Sequence, residues 1–139
     1  MQGVVDAIMS HPFPAVLAYF SVGIFSLIVF LSAFEWVTKY EGWKEIRKGN
    51  VSVAMATGGK IFGICNIFRH SIQTNDTIYE SLLWAGFGFV LLLVAYFLFE
   101  FLTPVFSVDE EIRKDNRAVG LLSLVISVSL SYIIGAAVK

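Results

Sequence analysis

Charged residues are scarce in this chain. They make up 15% of its 139 residues, against roughly 25% in a soluble domain, and the mean hydropathy is +0.75. The net charge is −1, so there is no basic surplus that would suit nucleic acid as a partner. This composition excludes a typical soluble domain and indicates a protein that lies in a membrane.

The chain also has few of the residues that build reactive or metal-binding sites. It has one cysteine, Cys65, so no disulfide can form within the chain, and it has two histidines. Neither histidine has carboxylates or thiolates at ligand spacing, so we expect no metal site. Phosphate-binding loops and Ser-His-Asp sets are also missing. We therefore predict a protein that is not an enzyme and that uses no cofactor.

Long apolar runs take the place of these features. Charge is absent from residues 13–34, 81–99 and 118–138, and residues 51–68 hold a single charge, Lys60. A helix needs about 20 apolar residues to cross a hydrocarbon core of about 30 Å. The runs predict an all-α integral membrane protein with four transmembrane helices, surrounded by the lipid bilayer. The predicted spans cover about residues 13–38, 51–70, 79–103 and 117–138.

A polar hexapeptide occurs twice, as EIRKGN at residues 45–50 and as EIRKDN at residues 111–116. The first copy follows FEWVT and the second follows FEFLT, and each copy stands between two apolar runs. The pattern predicts two helical hairpins that form a parallel repeat within one membrane domain, residues 1–139. The repeat units cover about residues 13–70 and 79–138. The motif residues are Glu45, Arg47, Asn50, Glu111, Arg113 and Asn116.

The distribution of Lys and Arg predicts the orientation. The two linkers lie on one side because two crossings separate them, and that side holds seven Lys and Arg residues. The other side holds only Arg69 and Lys139. Positive charge favours the cytoplasm, so we predict that both EIRK linkers are cytoplasmic and that both termini are external.

Two interpretations of the hexapeptide stay open. In one, its charges anchor the inner face, and Asn50 and Asn116 cap the helices that follow. In the other, the two copies form a paired site around a pseudo-twofold axis. Ser107 and Glu110 have capping-box spacing, which predicts a short cytoplasmic helix over residues 108–115.

Lys60 is the residue that a membrane tolerates least. A lysine at mid-bilayer costs about 2.5–3.5 kcal/mol. Helical side chains lean toward the N-terminus of their own helix. Lys60 therefore leans toward the linkers, whereas Glu35 and Glu100, at the ends of the first and third spans, lean into the membrane. We predict a buried charge cluster of Lys60, Glu35 and Glu100. The alternative is that Lys60 reaches the headgroups without a partner.

Small residues recur at four-residue intervals in the second and fourth spans. Such stripes allow helix backbones to approach closely, and they could face another span or another subunit. The residues are Ala54, Gly58, Gly59, Gly63, Ser123, Ser127, Ser131 and Gly135.

The stretch EIRKGNVSVAMATGGKIFG, followed by an aromatic-rich span and a second Glu-Ile-x-x-x-Asn before the last span, resembles the YjfL-like family of small bacterial inner-membrane proteins. The resemblance covers the chain from about residue 14, and Asp115 stands where the first copy of the motif has Gly49. It implies four spans in a bacterial inner (plasma) membrane and implies no particular biochemistry.

Two functions therefore stay open. The first is a non-enzymatic membrane subunit, either a homo-oligomer or an accessory subunit of an envelope complex, whose partner is a second copy or another membrane protein. The second is a small oligomeric ion channel or transporter that uses Lys60, Glu35 and Glu100, because ionisable residues inside membranes often mark ion pathways.

Overall fold

The structure is a computed structural model that describes residues 1–138. These residues form helices and no strands, which confirms the predicted all-α class. The helices are α1 (Gln2–Met9), α2 (Pro12–Val37), α3 (Gly42–Arg47), α4 (Val51–Thr74), α5 (Ile78–Phe101), α6 (Val108–Arg113) and α7 (Arg117–Ala137).

Four of these helices, α2, α4, α5 and α7, are long and apolar enough to cross a membrane. They correspond to the four predicted spans, although α4 continues to Thr74, beyond the predicted end at residue 70. The sequence did not predict α1 or α3. We call the end of the bundle that carries α3 and α6 the linker end. The repeat-hairpin arrangement as a whole stays a prediction, but the two linkers can be compared locally.

The two linkers turn in the same way. Each short helix is followed by a residue in the left-handed region, Gly49 at φ 89° and Asp115 at φ 62°. The backbone N–H of Asn50 donates to the Glu45 carbonyl at 3.1 Å, and that of Asn116 donates to the Glu111 carbonyl at 2.9 Å. Aspartate tolerates this conformation better than most side chains. The turn also ends α6 at residue 113, two residues before the predicted end.

Helix α4 is the centre of the bundle. Eleven of its residues are buried, compared with two of the 26 residues of α2. The main apolar core joins α2, α4, α5 and α7, and Phe30 stacks on Phe89 there with ring centroids 4.4 Å apart. A second core closes the linker end, where Val108 and Ile112 of α6 pack with Val53 of α4. Helix α6 therefore packs against the linker end of the spans.

Candidate functional site

Lys60 of α4 lies inside the bundle and does not face lipid. The residue is 5% exposed, on the face of α4 that points into the bundle. Its Nζ lies 5.4 Å from the ring centre of Phe34, 5.7 Å from that of Tyr40 and 5.3 Å from that of Tyr96. An ammonium within about 6 Å of an aromatic face is attracted by the negative face of the ring, most strongly where water is excluded. Three rings from α2, α5 and the first linker therefore hold one buried cation.

The acidic partners of Lys60 differ in part from the predicted ones. The carboxylates that act on its charge are those of Asp109 and Glu35. No carboxylate in residues 1–138 lies within 4.0 Å of the Lys60 ammonium. Lys60 therefore forms an ion pair with neither of the two predicted carboxylates, Glu35 and Glu100, and the Glu100 carboxylate is held at the linker end. It accepts a hydrogen bond from Ser107 Oγ at 3.0 Å and pairs with Lys39 Nζ at 4.0 Å.

Asp109 is the buried acidic residue near Lys60 that sequence reasoning missed. It is 2% exposed, and its Oδ2 accepts hydrogen bonds from the Tyr96 hydroxyl at 2.5 Å and from the Lys39 backbone N–H at 3.1 Å. In the sequence it is the first residue of the acidic run Asp109-Glu110-Glu111, a pattern that predicts exposure to solvent. A signal was present, because Val108 and Ile112 are apolar and four apart, which places the adjacent Asp109 near the buried side of α6.

Three buried oxygen atoms at the linker end make no hydrogen bond in the part of the chain that the structure describes. They are the Tyr40 hydroxyl, Asp109 Oδ1 and Glu100 Oε2. Buried polar atoms nearly always have a partner. The pKa of Tyr40 is raised above its ordinary value, first by burial and then by the negative charges of Asp109 and Glu35. We call Lys60, Phe34, Tyr40, Tyr96, Asp109 and Glu35 the lysine chamber.

Glu35 and Glu100 also have matching local roles. The Glu35 carboxylate accepts the backbone N–H of Gly42, the first residue of α3. The Glu100 carboxylate accepts the hydroxyl of Ser107, the N-cap residue of α6. In both copies the acceptor lies seven residues before its donor. A carboxylate at a helix N-terminus is favourable because unpaired N–H groups point toward it, which gives the repeated Phe-Glu pair a structural reason.

A cavity opens beside Glu35, between α2 and α3. Its volume is about 530 Å³, and Glu35, Trp36 and Trp43 line it together with residues of α2. Gly42 leaves room for the carboxylate, because a Cβ there would stand 2.7 Å from Glu35 Oε2. Glu35 is therefore the residue of the lysine chamber that also lines this cavity.

The two hexapeptides contact each other through asparagine. Asn50 Oδ1 accepts the Val53 N–H at 3.0 Å, as a cap should, and its Nδ2 donates to the Arg113 carbonyl at 2.8 Å. Asn116 occupies the N-cap position of α7 but makes no capping bond, so the predicted cap is wrong there. Its amide donates instead to the Glu111 carboxylate at 3.0 Å, a charged acceptor that binds more strongly than a neutral one.

The charged motif residues have different surroundings. Arg47 is exposed at the end of α3, and Glu45 pairs with Lys48 at 3.7 Å. Arg113 is bound to the Glu110 side chain, and this hydrogen bond lowers the pKa of Glu110. These contacts lie at the surface, where ion pairs contribute little to stability.

Asp115 forms a second bridge between the two halves. Its Oδ1 accepts both the backbone N–H and the hydroxyl of Ser52, each at 2.9 Å. These two bonds favour the ionised carboxyl, so the pKa of Asp115 is lowered, first of all by the backbone N–H of Ser52. The residue that replaces the motif glycine thus caps the first turn of α4 from the other repeat.

The small residues of α4 and α7 divide into two groups. Gly59 and Gly63 face α7, where a Cβ on Gly59 would stand 2.9 Å from Leu124 Cα and one on Gly63 would stand 3.4 Å from the Ser127 carbonyl. Ala54 is exposed, and a Cβ on Gly58 would meet nothing within 4 Å. One stripe therefore joins two spans, whereas the other lies open on the surface.

The serine stripe of α7 lies along the same seam. Ser131 accepts a hydrogen bond from the Asn66 amide at 3.0 Å, and Ser123 is buried. Gly135 lies against His70, whose Cβ would stand 3.5 Å from an added Cβ. Within residues 1–138 there is no group of three His, Cys, Asp or Glu side chains that could hold a metal ion.

The chain is similar to known membrane proteins over most of its length. Residues 8–138 match the family model described as Domain of Unknown Function (DUF350). UPF0719 transmembrane protein YshE of Bacillus subtilis is 54% identical over 123 residues, which cover 88% of this chain and 92% of that protein. UPF0719 inner membrane protein YjfL of Escherichia coli K12 is 25% identical over 104 residues, or 75% and 77% of the two chains. No solved structure matches.

Proposed function

The chain belongs to the DUF350 family of membrane proteins, and we propose that it is a non-enzymatic integral membrane subunit that associates with a second copy of itself. The alternative partner within the same role is a larger envelope complex, to which the chain would be an accessory subunit. The observation that carries the proposal is the open small-residue face of α4.

Ala54 and Gly58 are four residues apart on this face, and the position of a Gly58 Cβ is empty to 4 Å. Small residues at this spacing let two helices of a membrane protein approach closely, and close packing drives their association because lipid supplies no hydrophobic force. The neighbouring Gly59 and Gly63 use the same device inside the bundle. A second copy is a fitting occupant for the open face, since α4 would repeat there a contact that it already makes with α7.

Helix α2 supports the same proposal. It has 26 residues, of which only Ser26 and Phe34 are buried, so most of its length is free to contact lipid or a neighbouring protein. In α2, 6% of the most apolar 18-residue stretch is buried, compared with between 22% and 56% in the other three spans. A second copy would supply packing that this helix lacks in the isolated chain.

The proposed location is the bacterial inner membrane, as the name of the Escherichia coli relative states for that protein. We propose that the linker end faces the cytoplasm, because the linkers hold seven Lys and Arg residues. Cysteines placed singly at positions 44 and 75, in a background without Cys65, test the orientation with a membrane-impermeant thiol reagent on intact cells. Labelling at position 75 alone is expected, and labelling at position 44 alone would refute it.

The mass of the detergent-extracted protein tests the assembly. We expect a homo-oligomer for the wild type and a monomer for Gly58→Leu, with the same helix content in both. Leu92→Phe is a control that alters a buried core position without touching the open face. A monomeric wild type, or an oligomer that Gly58→Leu leaves intact, would contradict the proposal. Recovery with a different membrane protein in fixed stoichiometry would favour the accessory role.

A small ion channel or transporter is the second candidate, and the lysine chamber is the observation that favours it. Buried ionisable groups inside a membrane protein often belong to an ion pathway. Ion flux into liposomes that contain the purified protein is the test. We expect Lys60→Met to abolish flux and Lys48→Met, a change at an exposed linker lysine, to leave it intact. Absence of flux with the wild type would remove this candidate.

A further inference from the structure

A groove lies between α2 and α4, in the half of the bundle that is far from the linker end. Its volume is about 330 Å³, which is within the range of small-molecule sites in proteins. The residues of α2 that pack on the main core lie between Leu27 and Val37, whereas those that line the groove lie between Tyr19 and Leu27. The core therefore joins the two helices near the linkers, and the groove separates them toward their other ends.

The walls of this groove are apolar and open to the outside of the bundle. Phe20 and Ile24 line it and are 65% and 44% exposed, whereas Ile64 and Phe68 of α4 are buried and line its inner side. The lining residues of α4 run from 64 to 72, which is about 12 Å along the helix axis. One leaflet contributes about 15 Å of hydrocarbon, half of the core of a bilayer. The groove is thus long enough to hold most of an acyl chain of one leaflet.

Arg69 supplies a positive charge to the lining of the groove. It is exposed, and its guanidinium donates only to neutral acceptors of its own helix, Gln73 at 3.3 Å and Asn66 at 3.5 Å. No carboxylate in residues 1–138 lies within 4.0 Å of it. Its Cα lies about 27 Å along the axis from that of Val51, the first residue of α4. Since the hydrocarbon core is about 30 Å thick, Arg69 reaches the headgroups of the leaflet opposite the linker end.

A guanidinium beside an apolar groove matches the two parts of a phospholipid. The planar fork of N–H donors fits phosphate oxygens, and the resulting bonds are stronger than those between neutral groups. The apolar wall accepts a hydrocarbon tail. A second copy of the chain fits less well, because a symmetric contact uses the same patch on both subunits. It would bring a second Arg69 to the groove, and like charges repel.

We propose that this groove binds a phospholipid, with an acyl chain along the apolar wall and the phosphate on Arg69. The lipid would lie in the leaflet that faces away from the linker end. The site goes beyond the proposed assembly role. The open face of Ala54 and Gly58 lies in the half of α4 nearer the linkers, and the Cα of Gly58 is about 16 Å along the axis from that of Arg69. A monomer could therefore bind the lipid as well as an oligomer.

Native mass spectrometry of the full-length protein in detergent tests the site with three probes. Dioleoyl phosphatidylglycerol carries both the phosphate and the tails, dioleoylglycerol has the tails alone, and glycerol 3-phosphate has the phosphate alone. We expect each of the latter two to bind about tenfold more weakly than the phospholipid or worse, the change that follows from losing one hydrogen bond to a charged group. Binding of either probe as tightly as the phospholipid would overturn the proposal.

Substitutions at the two ends of the lipid locate it. Arg69→Gln should weaken phosphatidylglycerol binding by about tenfold. The matched control is Arg47→Gln, a change of an exposed arginine in α3 that also lacks a carboxylate within 4.0 Å in residues 1–138, and it should leave binding unchanged. The same loss in both variants would mean unspecific attraction between charges, and the assignment to Arg69 would be wrong.

The apolar part of the groove is tested by filling it. Ile24→Trp places a larger side chain in the groove and should reduce binding. Val29→Trp is the matched control, because Val29 lies on the same helix, is 45% exposed compared with 44% for Ile24, and is not among the residues that line this groove. Both positions are exposed, so the changes do not disturb the buried core. Binding that Ile24→Trp leaves intact would show that the acyl chain lies elsewhere.

Cys65 reports what covers the groove, since it is exposed and lines it. In delipidated wild type its thiol should react with a bulky maleimide. Phosphatidylglycerol should slow this reaction, and it should not do so in Arg69→Gln. Protection of Cys65 without lipid that Gly58→Leu removes would mean that a second copy covers the groove, which would overturn this proposal and support the assembly role. A monomeric wild type that binds the lipid would refute only the assembly role.

Discussion

Alanine substitutions at two adjacent glycines of α4 should have opposite effects on stability. A Cβ at Gly58 would meet nothing within 4 Å, whereas a Cβ at Gly59 would stand 2.9 Å from Leu124 Cα and 3.3 Å from its carbonyl oxygen. Both glycines lie within one helix, so the two changes are identical in chemistry and in helical position. Within one chain they differ only in what α7 places opposite them, so the comparison applies to the dissociated monomer.

The magnitudes follow from two opposing effects. Alanine is better than glycine in a helix by about 0.8–1.0 kcal/mol, and Gly58→Ala should be more stable than the wild type by up to that amount. Gly59→Ala gains the same contribution but forces two packed backbones apart. Such overpacking costs about 1–3 kcal/mol. The gain in helix propensity is the same for both variants. The difference between their free energies of unfolding therefore measures the effect of the close approach of α4 and α7.

Unfolding of each purified variant in a mild detergent, titrated with a denaturing detergent and followed by circular dichroism, measures this difference. Gly86→Ala serves as the control, because it is another helical glycine whose Cβ position is empty to 4 Å. It should behave like Gly58→Ala. Equal stability of Gly58→Ala and Gly59→Ala would mean that α7 does not approach α4 at Gly59, and the described packing of the bundle would be refuted.

Three further outcomes are expected from unfolding measurements. Lys60→Met should lower the free energy of unfolding by up to about 3–5 kcal/mol, because it leaves the buried Asp109 carboxylate without a nearby cation. The double variant Lys60→Met/Asp109→Asn should recover much of this loss, and no recovery would show that the two charges do not interact. The lowered pKa of Asp115 stabilises the fold above the ordinary aspartate pKa of about 3.9, and this contribution should disappear as the pH falls through the lower folded value. Asp115→Asn should therefore lose less stability than the wild type as the pH falls. The same dependence of stability on acid pH in both proteins would argue against the contact between Asp115 and Ser52. Gly42→Ala should lower the melting temperature because a Cβ would displace the Glu35 carboxylate, and an unchanged melting temperature would show that this contact is dispensable.

The spans were predictable because a bilayer imposes a length that a local run of residues must meet. Residues 13–34 and 118–138 are apolar nearly all round, and no tertiary contact is needed to see that they suit a hydrocarbon core. The start of α6 was predictable for a similar reason, because Ser107 caps it with a hydroxyl three residues before the donor. Helix α3 escaped prediction because it has six residues and its cap comes from Glu35, outside the helix.

The repeated motif could be found in the sequence, but the contacts that its residues make could not be predicted from it. The paired Phe-Glu and EIRK segments were visible as a repeat, and the anchoring of short helices by Glu35 and Glu100 emerged only from the structure. Asn50 and Asn116 occupy equivalent positions, yet only the first caps its helix. The Asn50 amide donates to Arg113 of the other linker, whereas the Asn116 amide donates to Glu111 of its own hexapeptide. The local pattern alone did not distinguish these two outcomes.

The sequence by itself determined that this protein has four long apolar helices, two charged linkers and one lysine that a membrane would not accept alone. These are properties of contiguous residues, and transfer from water to lipid depends on them directly. Only the tertiary structure decided that Lys60 lies among three aromatic rings with Asp109 nearby, and that Gly59 is covered while Gly58 is open. Those facts depend on which helices meet and at what rotation. One residue around a helix turns a side chain by about 100°, enough to exchange the inside of the bundle for its surface.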